Sequence, residues 1–156
     1  MILKFGRPIA VVSLVSLTLS LGTLRAQQQD PAAESDKPVL TLTGDAAIIT
    51  LLIKPDKTAD FEQVLAKLKD ALQNSTKPER RAQALGWHVF KSDQMVQGNA
   101  VYIMRIDSVV KGQEYDITRL IAEVFPVEVQ ELFLKYKDAF AGRAITELQP
   151  FMSMQP

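Results

Sequence analysis

The sequence predicts an α+β domain built on one antiparallel β-sheet, and three observations lead to this prediction. The chain has 156 residues, of which 47% are hydrophobic, which is enough to bury the core of one domain. Short segments rich in β-branched residues alternate with longer segments whose apolar residues recur at helical spacing. They follow one another as strand, helix, strand, strand, interrupted helix and strand, an order typical of helices packed on one face of an antiparallel sheet.

The domain is predicted to begin with a strand and an amphipathic helix. Residues 46–54 are rich in β-branched residues and are followed by Pro55, so they form the first predicted strand. Residues 58–74 form the first predicted helix, with Thr58 as its N-cap, because their apolar side chains fall on one stripe. The stripe consists of Phe61, Val64, Leu65, Leu68 and Leu72.

A short helical segment and a β-hairpin follow. Residues 76–84 begin with Thr76 and have Glu79 three residues later, a capping-box pattern that predicts one or two helical turns. Alternating apolar residues on both sides of a polar, glycine-containing loop predict the hairpin. Its parts are a strand at residues 85–92, a loop at 93–98 and a strand at 99–107.

The second half of the domain is predicted to hold an interrupted helix and a last strand. Asp116 is a favourable N-cap, and Tyr115 and Leu120 stand on either side of it at the spacing of a hydrophobic staple. Pro126 interrupts the helical pattern. The predicted segments are a helix that starts at Asp116, a helix over residues 127–142 that ends at Gly142, and a strand over residues 144–152.

Both faces of the predicted sheet are apolar, with Ile48 on one face of the first strand and Ile49 and Leu51 on the other. The elements follow a ferredoxin-like order, in which both helices cover a single face. An uncovered apolar face indicates an interface, and the simplest cover is a second copy, which gives a homodimeric α/β barrel. We take the face of Ile49, Leu51 and Tyr102 as the uncovered one. The alternative is a monomer whose residues 27–43 fold over the sheet.

The first 26 residues have the layout of a secretory signal peptide. Lys4 and Arg7 form a positive start, an apolar run over residues 9–21 follows, and Ala26 precedes the predicted cleavage site. Because the run is short for a membrane span of ~20 residues, cleavage is favoured over an uncleaved anchor. We therefore expect a periplasmic or extracellular protein without stable membrane association.

The mature chain is predicted to consist of a polar, flexible leader, one folded domain and a short tail. The leader covers residues 27–44, the domain residues 45–150 and the tail residues 151–156. Removal of the signal takes away three basic residues and no acidic one, which leaves 15 basic and 18 acidic residues. This balance argues against a nucleic-acid partner. The absence of cysteine excludes disulfides and thiolate sites, and one histidine among scattered carboxylates predicts neither a metal site nor a cofactor.

Two stretches carry a resemblance to known proteins. The stretch 46-AAIITLLIKPDKTADFEQVLAKLKDAL-72, with the later GWHVFKS, resembles the dimeric α/β-barrel superfamily, which includes antibiotic-biosynthesis monooxygenase-like domains. Residues 109–140 resemble a set of exported bacterial proteins to which no activity is assigned. The first resemblance implies a barrel dimer and, for an enzyme, metal-free oxidation of phenolic or quinol-type substrates or the degradation of haem.

Four side chains are the candidates for catalysis: His88, Tyr102, Arg105 and Trp87. Trp87 and His88 are the single tryptophan and histidine of the chain and are adjacent, so on a strand they point to opposite faces. We interpret Trp87 as a packing residue, and His88 as structural because no aligned carboxylate or serine lies nearby in the sequence. The resemblance implies an asparagine in the site, but Asn99 follows a glycine and is interpreted as part of the hairpin turn.

Two functions stay open from the sequence. The first is an exported, non-catalytic homodimer that binds a small apolar ligand or has a structural role. The second is a cofactor-independent monooxygenase or a haem-handling enzyme. An apolar cavity on which His88, Tyr102 or Arg105 converges would favour the enzyme, and a filled interior would favour the first function. The charged residues 79–81 are interpreted as a solvated helical turn, and Glu114 as a loop residue.

Overall fold

The computed structural model describes residues 37–152 and residue 154. The predicted signal peptide and residues 27–36 of the predicted leader lie outside this range. Eight helices and strands follow in chain order. They are β1 (Ala46–Ile53), α1 (Thr58–Asn74), α2 (Pro78–Gly86), β2 (Trp87–Lys91), β3 (Ala100–Ile106), α3 (Ile117–Val124), α4 (Val129–Ala139) and β4 (Phe140–Leu148).

The strands form one antiparallel sheet in the order β2-β3-β1-β4. This arrangement confirms the predicted α+β class and is compatible with a ferredoxin-like fold. The longest helix, α1, packs against α3 and α4, and the three share one core with the sheet. Among the described residues, no helix is both long enough and apolar enough to cross a membrane.

The helices cover the opposite face of the sheet from the one predicted. Ile49, Leu51 and Tyr102 are at most 3% exposed and belong to the core beneath the helices, so their assignment to the uncovered face is wrong. The alternation along β1 leaves Ile48 and Leu52 on the open face, where both are partly exposed. The open face is therefore apolar too, but it consists of different residues.

The end of the predicted leader is packed against the domain. Leu42 is 1% exposed and belongs to the core, and Leu40 packs against that core. The Leu40 carbonyl oxygen accepts a hydrogen bond of 2.8 Å from the Tyr115 backbone N–H. Residues 39–44 thus lie on the helix side of the sheet, and the folded domain includes residues before 45.

The helix starts agree with the sequence only in part. The Asp116 carboxylate accepts hydrogen bonds of 3.0 Å from the backbone N–H groups of Thr118 and Arg119, as its predicted capping role requires. Thr58 is not a cap, because a turn of 3₁₀-helix over Pro55–Lys57 leads directly into α1. The capping box at Thr76 is also absent, since α2 begins with Pro78, which is preorganised for a first helical position.

The largest difference from the predicted elements lies near the C-terminus. The helix predicted over residues 127–142 ends at Ala139, and β4 starts with Phe140. Gly142, the predicted helix stop, instead pairs with Leu52 of β1. The long pairing of β4 with β1, which includes a register shift beside Leu52, overrides the local helical pattern.

The hairpin between β2 and β3 closes as the sequence predicts, with slightly shorter strands. Gln97 and Gly98 both have a positive φ, 51° and 75°, as in a two-residue turn of type I′. Val96 and Asn99 pair on either side of this turn, which agrees with the structural interpretation of Asn99.

Candidate functional site

The four candidate side chains are divided between the two faces of the sheet. In the β2–β3 ladder Trp87 pairs with Ile106, and His88 pairs with Arg105. Because neighbouring residues alternate, His88 and Arg105 share the open face, whereas Trp87 and Tyr102 lie beneath the helices. The sheet itself separates the two pairs, so the four side chains do not line one pocket.

On the open face, His88 and Arg105 meet a shared carboxylate. His88 Nε2 lies 3.3 Å from Asp107 Oδ2, and Arg105 Nε donates to Asp107 Oδ1 at 2.8 Å. All three side chains are about half exposed, so the cluster is solvated and the ion pair of Arg105 with Asp107 contributes on the order of 0–1 kcal/mol. The Arg105 guanidinium lies 5.5 Å from the centre of the Phe90 ring. The cluster forms a polar border beside an apolar surface.

Beneath the helices, Tyr102 acts as a hydrogen-bond donor. Its hydroxyl donates to Glu62 Oε1 at 2.7 Å, and Lys91 Nζ lies 2.8 Å from the same oxygen. Burial and the neighbouring Glu62 carboxylate raise the pKa of Tyr102, whereas the hydrogen bond from Lys91 lowers the pKa of Glu62. Tyr102 is thereby held in its protonated form, which suits a structural contact rather than a base.

Trp87 has a buried polar atom without a partner. The side chain is packed in the core, and its ring centre lies 5.5 Å from that of Tyr115. Its indole Nε1 is buried and makes no hydrogen bond. An unsatisfied buried donor costs about 1–3 kcal/mol, so this atom is an unfavourable feature of the packing.

The interior around Trp87 and Tyr136 is almost completely filled, whereas a groove of about 180 Å³ opens between α1, α2 and β2 at the edge of the sheet. A cavity of about 10 Å³ lies among Leu51, Trp87, Tyr136 and Arg143, and such a space is no larger than one water molecule requires. Burial raises the pKa of Tyr136, which keeps its hydroxyl protonated. Within residues 37–152, the interior cavity beside Trp87 and Tyr136 is too small to hold a substrate.

A buried polar network was missed by the sequence analysis. Arg80 is 5% exposed, so its assignment to a solvated turn is wrong. Its guanidinium binds both carboxylate oxygens of Glu123 at 2.9 and 2.6 Å and donates to Gln83 Oε1 at 2.8 Å and to Gln113 Oε1 at 3.1 Å. The hydrogen bonds of this pair raise the pKa of Arg80 and lower that of Glu123. The network joins α2, α3 and the loop between β3 and α3.

Glu114 is a second buried group that the sequence does not reveal. Its carboxylate accepts hydrogen bonds from the backbone N–H groups of Val39, Leu40, Tyr115 and Asp116, at distances of 2.6 to 3.0 Å. The Glu114 carboxylate therefore connects residues 39 and 40, which precede β1, to the start of α3.

The spacing of Arg80 and Gln83 places them on one face of α2, but nothing local in the sequence indicates that this face is buried.

A surface pocket borders this network. It has a volume of about 520 Å³, and its lining includes Lys37, Lys77, Arg119 and the carboxylates of Glu114 and Glu123. Lys77 Nζ lies 3.3 Å from Glu123, which Arg80 also binds. Within residues 37–152, no cluster of three or more histidine and acidic side chains has the arrangement of a metal site.

Comparison of the chain with protein-family models, with curated proteins and with solved structures gives no match.

Proposed function

We propose that this chain is an exported, non-catalytic homodimer that acts as a ligand-binding or structural protein. The observation that carries the proposal is the nearly filled interior around Trp87 and Tyr136, because an enzyme of the barrel type needs a chamber there on which its site residues converge. The separation of His88 and Arg105 from Trp87 and Tyr102 supports the same conclusion.

The dimer interface that we propose is the open face of the sheet. Its centre is formed by the partly exposed Ile48, Leu52 and Ile103, and Phe90 is 49% exposed beside them. Large apolar side chains on an open face indicate an interface. The described part of the leader packs on the helix side, which weakens the alternative of a leader that covers this face.

The size of this face indicates a weak dimer. Four strands ~4.8 Å apart and about seven residues long, at ~3.3 Å per residue, present roughly 19 by 23 Å, or about 440 Å² per copy. Two copies then bury about 900 Å², below the ~1,200–2,000 Å² of a standard interface. We therefore expect a dissociation constant of about 1–100 µM.

Light scattering with the processed protein between about 1 and 100 µM tests the dimer. We expect the mass to rise from one copy to two over this range. Phe90→Glu places a charge on the open face and should weaken the dimer at least about tenfold. Phe133→Glu is the matched control, because Phe133 is 41% exposed but lies on α4. A one-copy mass throughout, or equal effects of the two variants, would contradict the interface.

Titration with haem and with quinols tests the non-catalytic part of the proposal. We expect neither a change in the absorbance of haem nor turnover of quinols. A shifted haem spectrum or oxygen-dependent consumption of a quinol would favour the monooxygenase or haem-handling function instead.

Export rests on the positive start and apolar run of residues 1–26. The full chain, expressed in a bacterial host, should appear in the periplasmic fraction or the medium with Gln27 as its first residue. Intact-mass measurement checks this prediction. A membrane-bound protein that retains residues 1–26 would contradict it.

A further inference from the structure

The outer edge of β4 is available for pairing with another strand. β4 is the last strand in the sheet order, so within the described part of the chain only one of its two edges has a neighbour, β1. Most of its residues are exposed, as expected for an edge that no helix or loop within residues 37–152 covers. The unpaired backbone N–H and C=O groups of such an edge are a template for a further strand.

Natural proteins usually protect an edge strand against such pairing. The common protections are lysine or proline residues, a short strand, a bulge and charged side chains. In β4 the register shift beside Leu52 affects only the start of the strand, and Pro150 follows its end. Residues 142–148 contain neither proline nor lysine and pair regularly with β1. This part of the edge is therefore protected only by two charged side chains, Arg143 and Glu147.

Arg143 and Glu147 lie on the helix side of β4. They pair with Leu51 and Ala47 of β1, and both of these residues are buried beneath the helices. Arg143 is exposed and makes no ion pair among the described residues. It is therefore a cation on the edge strand that has no acidic partner within residues 37–152.

Glu147 is held in place through one of its two carboxylate oxygens. Its Oε2 accepts hydrogen bonds of 3.0 and 2.7 Å from the backbone N–H groups of Thr43 and Gly44. The hydrogen bonds of Thr43 and Gly44 lower the pKa of Glu147, so the carboxylate is charged at neutral pH. All of these bonds end on Oε2, which leaves Oε1 able to accept from another cation.

The register of self-pairing decides which of these charges meet. In an antiparallel pair, side chains that lie directly opposite each other are on the same face of the sheet. If Ile145 lies opposite Ile145 of a second copy, Arg143 of each copy lies opposite Glu147 of the other. Centring the pair on residue 143 or 147 places like charges opposite each other, which is destabilising. Centring it on residue 144 or 146 gives neither charge an opposite partner.

We propose that the outer edge of β4 pairs with the same edge of a second copy, with Ile145 at the two-fold axis and two ion pairs between Arg143 and Glu147. The two strands overlap over residues 142–148. Pro150, which has no backbone N–H, ends the overlap. The two sheets then form one continuous sheet. The open face takes no part in this contact, so the inference goes beyond the proposed dimer and does not depend on it.

The edge contact is small and therefore weak. Residues 142–148, at ~3.3 Å each, span roughly 23 Å, and a sheet ~10 Å thick then presents about 230 Å² per copy. Two copies bury about 460 Å², well below the ~1,200 Å² of a standard interface. We expect a dissociation constant of about 0.1–1 mM, so that the edge contact forms at higher concentrations than the contact through the open face.

Light scattering on processed protein that carries Phe90→Glu isolates the edge contact, because this change weakens the contact through the open face. The mass should rise from one copy towards two between about 0.1 and 1 mM. Addition of Arg143→Glu places an acidic side chain opposite Glu147 and should weaken this association at least about tenfold. Arg81→Glu is the matched control, because it makes the same change of charge at an exposed position of α2 and should leave the association unchanged.

A mixture of two charge variants tests the register. A copy with Arg143→Glu carries two anions on this edge and a copy with Glu147→Lys carries two cations, so neither should pair with itself. In an equimolar mixture each cation faces an anion, and association should return to within about threefold of that of the parent protein.

Single-cysteine variants give an independent test, because the chain has no native cysteine. Ile145→Cys places two thiols opposite each other at the two-fold axis, within the range of a disulfide. It should form a disulfide-linked dimer at least about tenfold faster than Lys69→Cys, whose thiol would be exposed on α1. This comparison decides the question if Glu147→Lys, which also loses the contacts with Thr43 and Gly44, fails to fold.

Four outcomes would overturn the proposal. They are no association up to about 1 mM, equal effects of Arg143→Glu and Arg81→Glu, a mixture that associates no better than its components, and equal disulfide rates for the two cysteine variants. The two interfaces can fail separately. A wild-type dimer below about 100 µM without edge pairing refutes the edge contact alone, and edge pairing without that dimer refutes the open-face contact alone.

Discussion

Replacement of the buried Arg80 by alanine is the most informative test of how this domain is stabilised. Arg80 makes four hydrogen bonds, two of them to the Glu123 carboxylate. Loss of the charged pair costs about 1.5–3 kcal/mol, and the amide oxygens of Gln83 and Gln113 lose a donor at about 1 kcal/mol each. The Glu123 side chain is 23% exposed, so water can rehydrate it in part. The sum is about 3.5–5 kcal/mol, and we expect a loss at its lower end, about 3.5 kcal/mol.

Urea unfolding followed by circular dichroism measures this loss, and a melting temperature lower by about 10–15 °C should accompany it. Arg81→Ala is the matched control, because Arg81 is exposed and makes one long hydrogen bond of 3.3 Å to the Ser75 carbonyl oxygen. That variant should change the free energy of unfolding by less than about 0.5 kcal/mol. Equal effects of Arg80→Ala and Arg81→Ala would refute the structural role that burial assigns to Arg80.

Three further predictions concern stability. Leu42→Ala should lower the free energy of unfolding by about 2–4 kcal/mol, because Leu42 is buried in the core. A change below about 0.5 kcal/mol in urea unfolding would mean that residue 42 belongs to a flexible leader. Tyr102→Phe should cost only about 0.5–1.5 kcal/mol, since Glu62 Oε1 keeps its contact with Lys91; a loss above ~3 kcal/mol in the same assay would assign Tyr102 a larger role. Hydrogen bonds with Arg80 lower the pKa of Glu123 in the folded state. The contribution of Glu123 to stability is therefore present above its unfolded pKa of ~4.3, and it is lost as the pH falls through the lower folded pKa. Urea unfolding between about pH 2 and 7 should show this loss in the wild type and a smaller one in Arg80→Ala; identical pH profiles would contradict it.

Elements whose pattern is local were predictable from the sequence. β1 and α1 are found within one residue of their predicted bounds, because a β-branched run before a proline and a single apolar stripe each favour one conformation. Asp116 was predictable for the same reason, since its carboxylate contacts backbone groups two and three residues away. Local sequence is sufficient where the decisive contacts are local.

Features that depend on distant contacts could not be predicted in this way. Arg80 is buried because Glu123, 43 residues away, neutralises it, and a single sequence contains no sign of that pairing. β4 begins at Phe140 because β1 offers it a pairing edge, although the preceding residues continue a helical pattern. The unpaired indole of Trp87 likewise results from packing among several elements.

The uncovered face of the sheet was predicted wrongly, although the sequence contains residues that indicate the correct face. His88 and Arg105 alternate with residues of the buried face and pair across β2 and β3, and Thr50 lies on the same side of β1. Polar side chains at alternating positions mark the solvent side of a sheet. These polar residues therefore predict that the helices cover the opposite face, which carries Leu51 and Tyr102.

Two of these polar residues, His88 and Arg105, also mark where the apolar surface of the proposed interface ends. Because the cluster of His88, Arg105 and Asp107 neutralises itself at one end of the open face, a second copy can pack on the apolar centre around Ile103 without burying an unpaired charge. A charge introduced at this apolar centre would have no group of opposite charge beside it. Phe90 lies at the edge of this centre beside Arg105, so Phe90→Glu should weaken the dimer mainly through the loss of its apolar ring, whereas changes in the border cluster should affect it far less.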